Sequence, residues 1–430
     1  MRIVFYKKLL IICLDNAILQ IPGHNFSVSG WAFEKNHVGL GALNQKGSNM
    51  FFKEVVGHEA LKKQLIANVS KNRISHAQLI LGPEGSGKLA LALAYARYIH
   101  CRNRGPEDAC GSCPSCIKFN KLEHPDLHFY FPTAKVKGMD DDEEKKPRSK
   151  LFYTPWREML LESPYFRYSD WLEKLGVQNQ QTIIYSEDCN DIIKDLGLKA
   201  FESSYKIVII WMIEKLQHQA GPKLLKTLEE PPEGTVFLLI SENKDEILKT
   251  ILSRTQLVKI PLIADEDMEH YLEKKLGRPP AQARQIAFLA GGNFAEALRI
   301  MQSNNEPQED FGIFREWMRL CFQKKVKDLL AWVDKFSRAG RERQKAMLQF
   351  GLTIFRQCLL QNYHATQALR LEGEQREFIE KFSPFVNHSN ALEIIEAFNQ
   401  AIYHVERNAN PKILFTDLSF NLARLFRQGK

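Results

Sequence analysis

Residues 82–89 read Gly-Pro-Glu-Gly-Ser-Gly-Lys-Leu, and no other stretch constrains the fold as tightly. The run follows a short apolar segment, Ala77–Leu81 (AQLIL), and opens an alanine-rich segment with helical character, Lys88–His100. Strand, glycine-rich turn and helix in that order begin an α/β domain. The turn matches G-x-x-x-x-G-K in the context that pattern needs. Its glycines let backbone N–H groups turn toward phosphate oxygens, Lys88 would reach the β/γ oxygens, and the helix N-terminus adds a favourable dipole. Gly82, Gly85, Gly87 and Lys88 are therefore candidate phosphate-binding residues.

The rest of the first half continues the alternation. Leu61, Leu65, Ile66 and Val69 recur at helical spacing over Glu59–Val69, and Cys189–Leu198 reads as another helix. Lys206–Ile213 (KIVIIWMI) and Thr235–Ser241 (TVFLLIS) are buried strands; between them a helix over Lys223–Glu230 stops at Pro231-Pro232. Repeated strand–helix alternation predicts a mainly parallel, doubly wound sheet. Trp156–Leu175 is aromatic and irregular, and Val136–Lys150, centred on MDDDEEKKPRSK, reads as a solvated charged insertion starting near residue 133. Beyond Pro261 no further strand is expected. Residues 265–303 suggest a small helical domain, and 310–430 are helical throughout, with Trp317, Leu320, Leu329, Leu330, Trp332, Val333 and Phe336 at core spacing and the pattern continuing through Phe350–Leu360 and Leu392–Phe398.

Two elements of a working nucleotide site are missing. Position 89 should be Ser or Thr, whose hydroxyl binds Mg²⁺, and is Leu. The strand from Lys206 should end in carboxylates that hold the metal and polarise water, and carries Trp211 and Met212, residues of ordinary packing; Glu214 lies further along, a poor substitute that only the active-ATPase alternative would call on to hold Mg²⁺. The two losses together argue against hydrolysis, although nucleotide could still meet the backbone and Lys88.

Four of the eight cysteines cluster as Cys101-x8-Cys110-x2-Cys113-x2-Cys116, while Cys13, Cys189, Cys321 and Cys358 are scattered. Four thiolates in one short loop suit tetrahedral Zn²⁺ and leave no open position, so the role would be structural. An iron–sulfur cluster or free thiols are the alternatives. His124 and His128 lie nearby but are not needed once four thiolates complete the shell.

Charge and hydropathy narrow the remaining classes. A net charge of +8 over 430 residues is too dilute to identify a nucleic-acid partner. No stretch reaches the roughly 20 apolar residues that cross a bilayer. Met1–Leu14 faintly resembles a signal peptide, but its apolar part is short and lacks a clean cleavage site; a cytoplasmic location is expected. Residues 1–49 read as an extension outside the fold, with Met50 opening the folded run FFKEVVGHEALKKQL.

Taken together, these residues resemble the clamp-loader family of bacterial DNA polymerase III, the delta-prime subunit above all, with gamma/tau sharing much of the pattern. The resemblance runs from about Met50 to Leu262. It rests on Val56-Gly57-His58-Glu59, on Ser75-His76-Ala77 leading into the phosphate loop, on the four-cysteine module, on His124-Pro125-Asp126, on Leu224–Pro232 (LLKTLEEPP) and on Ile251-Leu252-Ser253-Arg254. It implies an AAA+ P-loop domain over 50–262, a small helical lid over 263–307 and an all-helical collar over 308–430. It implies a hetero-oligomeric ring with gamma/tau and delta subunits that opens the sliding clamp around primed DNA, structural Zn²⁺, and no productive ATP/Mg²⁺ site in this chain. By resemblance Arg254 matches an arginine finger that reaches a neighbour's ATP, a device worth roughly 10³–10⁵ in rate in other NTPases; an exposed salt bridge is its ordinary alternative. Gly291-Gly292-Asn293 and Arg299 resemble the lid near the family's second sensor. The chain departs from the pattern at Thr255, usually Cys, and at Pro222, usually Asn. Two other functions compete: an active gamma/tau-like ATPase, disfavoured by Leu89 with Trp211-Met212, and an unrelated zinc-stabilised nucleic-acid module, for which no compact basic and aromatic patch is present.

Overall fold

The structure, a computed structural model, describes residues 50–136, 147–177, 180–217, 220–302, 307–323, 325–363 and 374–428. The expected extension 1–49 and the centre of the charged insertion lie outside the described residues.

Five strands, β1 (Ala77–Leu81), β2 (Leu127–Tyr130), β3 (Lys206–Trp211), β4 (Thr235–Ser241) and β5 (Gln256–Lys259), form one parallel sheet in the order β2-β3-β4-β1-β5. The strand runs are apolar because both faces are covered. Successive residues alternate between two cores: Ile207, Ile209, Trp211, Val236, Leu238 and Ile240 face one, and Val208, Ile210, Phe237 and Leu239 the other. The first face holds α1 (Glu59–Ser70) and α2 (Lys88–His100); every residue of α2 is buried. A short helix, α3 (Pro114–Asn120), follows.

Trp156–Leu175 is not irregular. It forms α4 (Tyr153–Glu162) and α5 (Tyr168–Leu175), broken at Pro164, and its indoles are core residues. Trp156 stacks on Phe131 and meets Trp171 and Trp211 edge-on or tilted, with centroids 4.2–5.3 Å apart. Pro164 interrupts the run, so no single helical period spans it from end to end. The insertion is also shorter at both ends than its charge suggested. Thr133 pairs with Ile183, and the buried Ser149 exchanges hydrogen bonds with Phe131 through its Oγ at 3.0 Å.

Next come α6 (Ser186–Gly197), α7 (Gly221–Glu229) and the single-turn α8 (Lys249–Leu252). Strand β3 ends at Trp211 instead of Ile213, because Met212 takes a left-handed backbone with φ 57°. Pro222 falls in the first turn of α7, where a missing N–H costs nothing.

After β5 the described chain is helical. Helices α9 (Asp265–Lys274), α10 (Pro280–Ala290) and α11 (Phe294–Gln302) send Met268, Leu272, Ala287 and Phe294 into the same core as α2. A separate core binds α12 (Pro307–Gln323), α13 (Val326–Phe336), α14 (Arg341–Asn362), α15 (Glu374–Phe382), α16 (Ala391–Glu406) and α17 (Pro411–Gln428). Trp317 and Trp332 stack there at 5.0 Å. Leu330 and Leu392, expected at core spacing, are exposed at 38% and 68%; each is adjacent in sequence to the true inward residue, Leu329 or Ala391. No described helix is long and apolar enough to cross a membrane.

Candidate functional site

The phosphate loop leaves the C-terminal end of β1, where the sheet order places β4 on one side and β5 on the other. Such a crevice is the usual ligand position of an open α/β sheet. Gly85 and Gly87 have φ 69° and 82°, left-handed values that glycine adopts without strain. The crevice is nonetheless filled by this chain's own groups. A Cβ on Gly85 would lie 1.7 Å from Asn293 Oδ1, at the start of α11. The Phe294 N–H donates to the Gly85 carbonyl at 3.0 Å, and the Asn293 amide reaches Glu84 Oε1 at 3.4 Å. Asn293 Oδ1 accepts from the Glu296 N–H at 3.0 Å, as a helix N-cap does. On the other flank Tyr165 lies against Gly87, and its hydroxyl accepts from the Val56 N–H at 2.9 Å. The His58 ring donates from Nε2 to the Ser86 carbonyl at 2.7 Å.

Lys88 is 5% exposed, and its ammonium is already partnered. It donates to the Pro83 carbonyl at 2.5 Å and pairs with Glu242 at 3.2 Å. Glu242 follows β4 directly. Its own N–H donates to Glu214 Oε1 at 2.9 Å, so Glu214 fixes the backbone that presents the Glu242 carboxylate. Burial pushes the Glu214 carboxyl up in pKa, an effect the Glu242 N–H opposes only in part. Burial likewise raises Glu84, with Lys345 of α14 acting against it. Leu89 is buried in the α2 core, and Trp211 packs among Trp156, Phe166 and Tyr168. Neither offers an oxygen to a metal. Glu242 and the docking of Asn293 went unrecognised in the sequence; a lone carboxylate at the C-terminal end of a buried parallel strand was the available signal.

The four thiols converge. The sulfurs of Cys101, Cys110, Cys113 and Cys116 all lie within 4.8 Å of one another. Four sulfurs at about 2.3 Å from one zinc ion require comparable separations. Local structure explains the convergence. Cys101 ends α2, Cys113 caps α3 with Pro114 next, and Gly111 has φ 76° with no room for a side chain against Phe51. The Cys110 and Cys113 N–H groups donate to the sulfurs of Cys101 and Cys110 at 3.3 and 3.4 Å. Burial raises the Cys110 thiol, but N–H donors from Ser112 and Cys113 outweigh it and bring the pKa down to about 6, which favours the thiolate that binds metal. The cluster could hold a metal ion. His124 is not part of it; it contacts His100 at 3.0 Å. Asp108 of the same loop accepts from the Phe52 and Lys53 N–H groups at 3.2 and 3.0 Å, tying the start of the fold to the module.

Arg254 lies between α8 and β5. Because β5 runs parallel to β1, with Gln256 opposite Gln78 and Lys259 opposite Leu81, Arg254 stands at the end of the sheet away from the phosphate loop. About 10 Å of strand separates the two ends. Arg254 pairs with Glu229, and Arg299 pairs with Glu296 at 2.6 Å.

A glycine-rich loop at the switch point of a parallel 5-1-4-3-2 sheet, with three helices packed over it, defines an AAA+ P-loop fold. The sequence model of the family described as DNA polymerase III, delta subunit, matches residues 57–264. Over that span the chain is similar to this family, and delta-prime and gamma/tau subunits are among the relatives it matches. It is 28% identical to DNA polymerase III subunit delta' of Bacillus subtilis over 56% of this chain and 58% of that one. It is 23% identical to DNA polymerase III subunit gamma of Buchnera aphidicola over 60% of each. The tau subunit of Bacillus subtilis matches at 22% over 85% of this chain and 60% of its own length. The chain thus spans about 60% of the length of these relatives. Among solved structures, a gamma-subunit-related protein of Thermotoga maritima aligns over 86% of this chain and 99% of its own at 14% identity and a TM-score of 0.36.

Proposed function

We propose that this chain is a clamp-loader subunit of the DNA polymerase III holoenzyme that does not hydrolyse ATP and instead donates Arg254 to a neighbouring ATPase subunit. The observation that carries this reading is the self-satisfied phosphate loop. Lys88 is bonded to Pro83 and Glu242, and Asn293 sits on Gly85. A nucleotide would have to displace a carboxylate from a buried ammonium, and Leu89, Trp211 and Met212 would give its Mg²⁺ nothing to bind. An active gamma/tau-like ATPase, the alternative, needs those oxygens. The position of Arg254 supports action in trans, since it cannot turn to its own loop across the length of the sheet. A guanidinium supplied by an adjacent subunit stabilises charge developing on the γ-phosphate.

In this reading residues 50–262 form the AAA+ domain, 263–307 the lid and 308–430 the collar that assembles with gamma/tau and delta subunits; the sliding clamp and primed DNA are what the assembled ring acts on. Cys101, Cys110, Cys113 and Cys116 would hold a structural Zn²⁺, which supplies cross-linking and no catalysis. The test is the clamp- and primer-stimulated ATPase of the reconstituted loader carrying Arg254→Ala in this subunit. A collapse of the rate contributed by the adjacent site is expected. An unchanged rate removes the finger and leaves a scaffold.

A further inference from the structure

We propose that Glu229 parks Arg254 within its own subunit, so that the guanidinium reaches a neighbour's nucleotide only after this ion pair opens; the inference rests on the reading of Arg254 as a finger. The two residues belong to separate sequence features, the LLKTLEEPP run and the serine-arginine pair, and the fold brings them together across 25 residues.

Glu229 is the last residue of α7, and Pro231-Pro232 prevents the helix from continuing. A carboxylate at a helix C-terminus is disfavoured by the helix dipole, so it is best placed there when a cation answers it. Arg254 is the group that does. Its Nε donates to Glu229 Oε1 at 2.5 Å, and Nη2 pairs with the same oxygen. The far side of the guanidinium is pinned independently: Nη1 donates to the Thr250 carbonyl at 2.9 Å and to Ser253 Oγ at 3.1 Å. These two bonds orient the plane and aim the Nε/Nη2 edge at Glu229. That edge is the fork a guanidinium uses to take two oxygens of a carboxylate or phosphate. Glu229 therefore occupies the same donors that a γ-phosphate needs.

Both side chains are partly exposed, Arg254 at 33% and Glu229 at 45%. Exposed pairs of this kind shift an equilibrium by no more than about fivefold. The pair is strong enough to hold the finger back when the ring is idle, and weak enough to yield to a phosphate carrying more than one negative charge. Glu229 is on this account a positioning residue, acting only through Arg254.

The experiment measures ATP hydrolysis by the reconstituted loader, with and without clamp and primed DNA. This subunit is wild type, Glu229→Gln, Glu229→Asp, Arg254→Ala, or Glu229→Gln with Arg254→Ala. Glu229→Gln should raise the unstimulated rate about two- to fivefold, leave the stimulated rate nearly unchanged, and have no effect when Arg254 is already alanine. Glu229→Asp, which keeps the charge, should restore the wild-type unstimulated rate. An unstimulated rate that stays level or falls in Glu229→Gln overturns the proposal, as does a rise that persists without Arg254. If Arg254→Ala leaves the stimulated rate at wild type, the finger itself fails and the parking role falls with it. If Arg254→Ala abolishes stimulation but Glu229→Gln is silent, only the parking role fails.

Discussion

Replacing Gly85 by alanine tests whether the glycine-rich loop after β1 serves as a seat for α11. Two costs are separable. At φ 69° an L side chain meets its own backbone, at about 1–2 kcal/mol. The new Cβ would also stand 1.7 Å from Asn293 Oδ1 and 2.3 Å from its Cγ, overpacking worth about 1–3 kcal/mol. Gly85→Ala should therefore destabilise this core by about 2–5 kcal/mol. Asn293→Gly alone loses the cap on Glu296 but keeps a tolerated capping residue, at a few tenths of a kcal/mol. In the double variant the clash with Oδ1 and Cγ disappears, and only the Asn293 Cα position at 3.1 Å and the backbone cost remain. The pair should thus cost about 1–2 kcal/mol, giving a favourable coupling of about 1–3 kcal/mol. Native-state hydrogen exchange on peptides covering β1 and α2 reads the opening of this core apart from the separate core of α12 to α17. Additive costs in the double variant would refute the docking of Asn293 on Gly85, and with it the closed phosphate loop.

Two further outcomes follow from the structure. Cys113→Ser should bring bound zinc from about one per chain to near zero by elemental analysis and sharply increase exchange in the loop from Cys101 to Cys116, because metal binding and local folding are coupled; full zinc retention would exclude the four-thiolate site. Asp188, whose oxygens accept from the Ser149 and Tyr185 N–H groups at 2.7 and 3.1 Å, is pushed up to about 6, chiefly by burial. Its folded pKa lies above the unfolded value, so between about pH 4 and 6 the native state holds a proton that the unfolded chain does not, and stability falls as pH rises through that window. Protection of α6 should increase on going from pH 7 to 5, by about 1 kcal/mol, and Asp188→Asn should flatten that dependence; an unchanged slope in the variant would place the titration elsewhere.

Much of the sheet was legible because buried parallel strands are continuous apolar runs. Ala77–Leu81 and Thr235–Ser241 match the observed strands residue for residue, and Lys206–Ile213 overran by two. Strand β5 was not read, since Gln256, Leu257 and Lys259 are exposed and the run is four residues long. Strand β2 carries polar His128 and is equally short. The helices α4 and α5 escaped because Pro164 splits their aromatic run in two.

What the sequence determined by itself was local chemistry. The glycine spacing of residues 82–88 dictates a loop of positive-φ turns, the missing hydroxyl at Leu89 removes a metal ligand, and the spacing of Cys101, Cys110, Cys113 and Cys116 within one short segment limits where their sulfurs can go. Only the tertiary structure decided which distant groups answer these. Glu242 meets Lys88 from 154 residues away, Asn293 covers Gly85 from more than 200, and Glu229 holds Arg254 across the boundary between a helix end and a strand start. The physical reason is that a carboxylate or an amide carries no periodic signature in the chain. Its partner is set by how the parallel sheet stacks β4 beside β1 and seats α11 above the loop, and that arrangement is a property of packing, not of spacing.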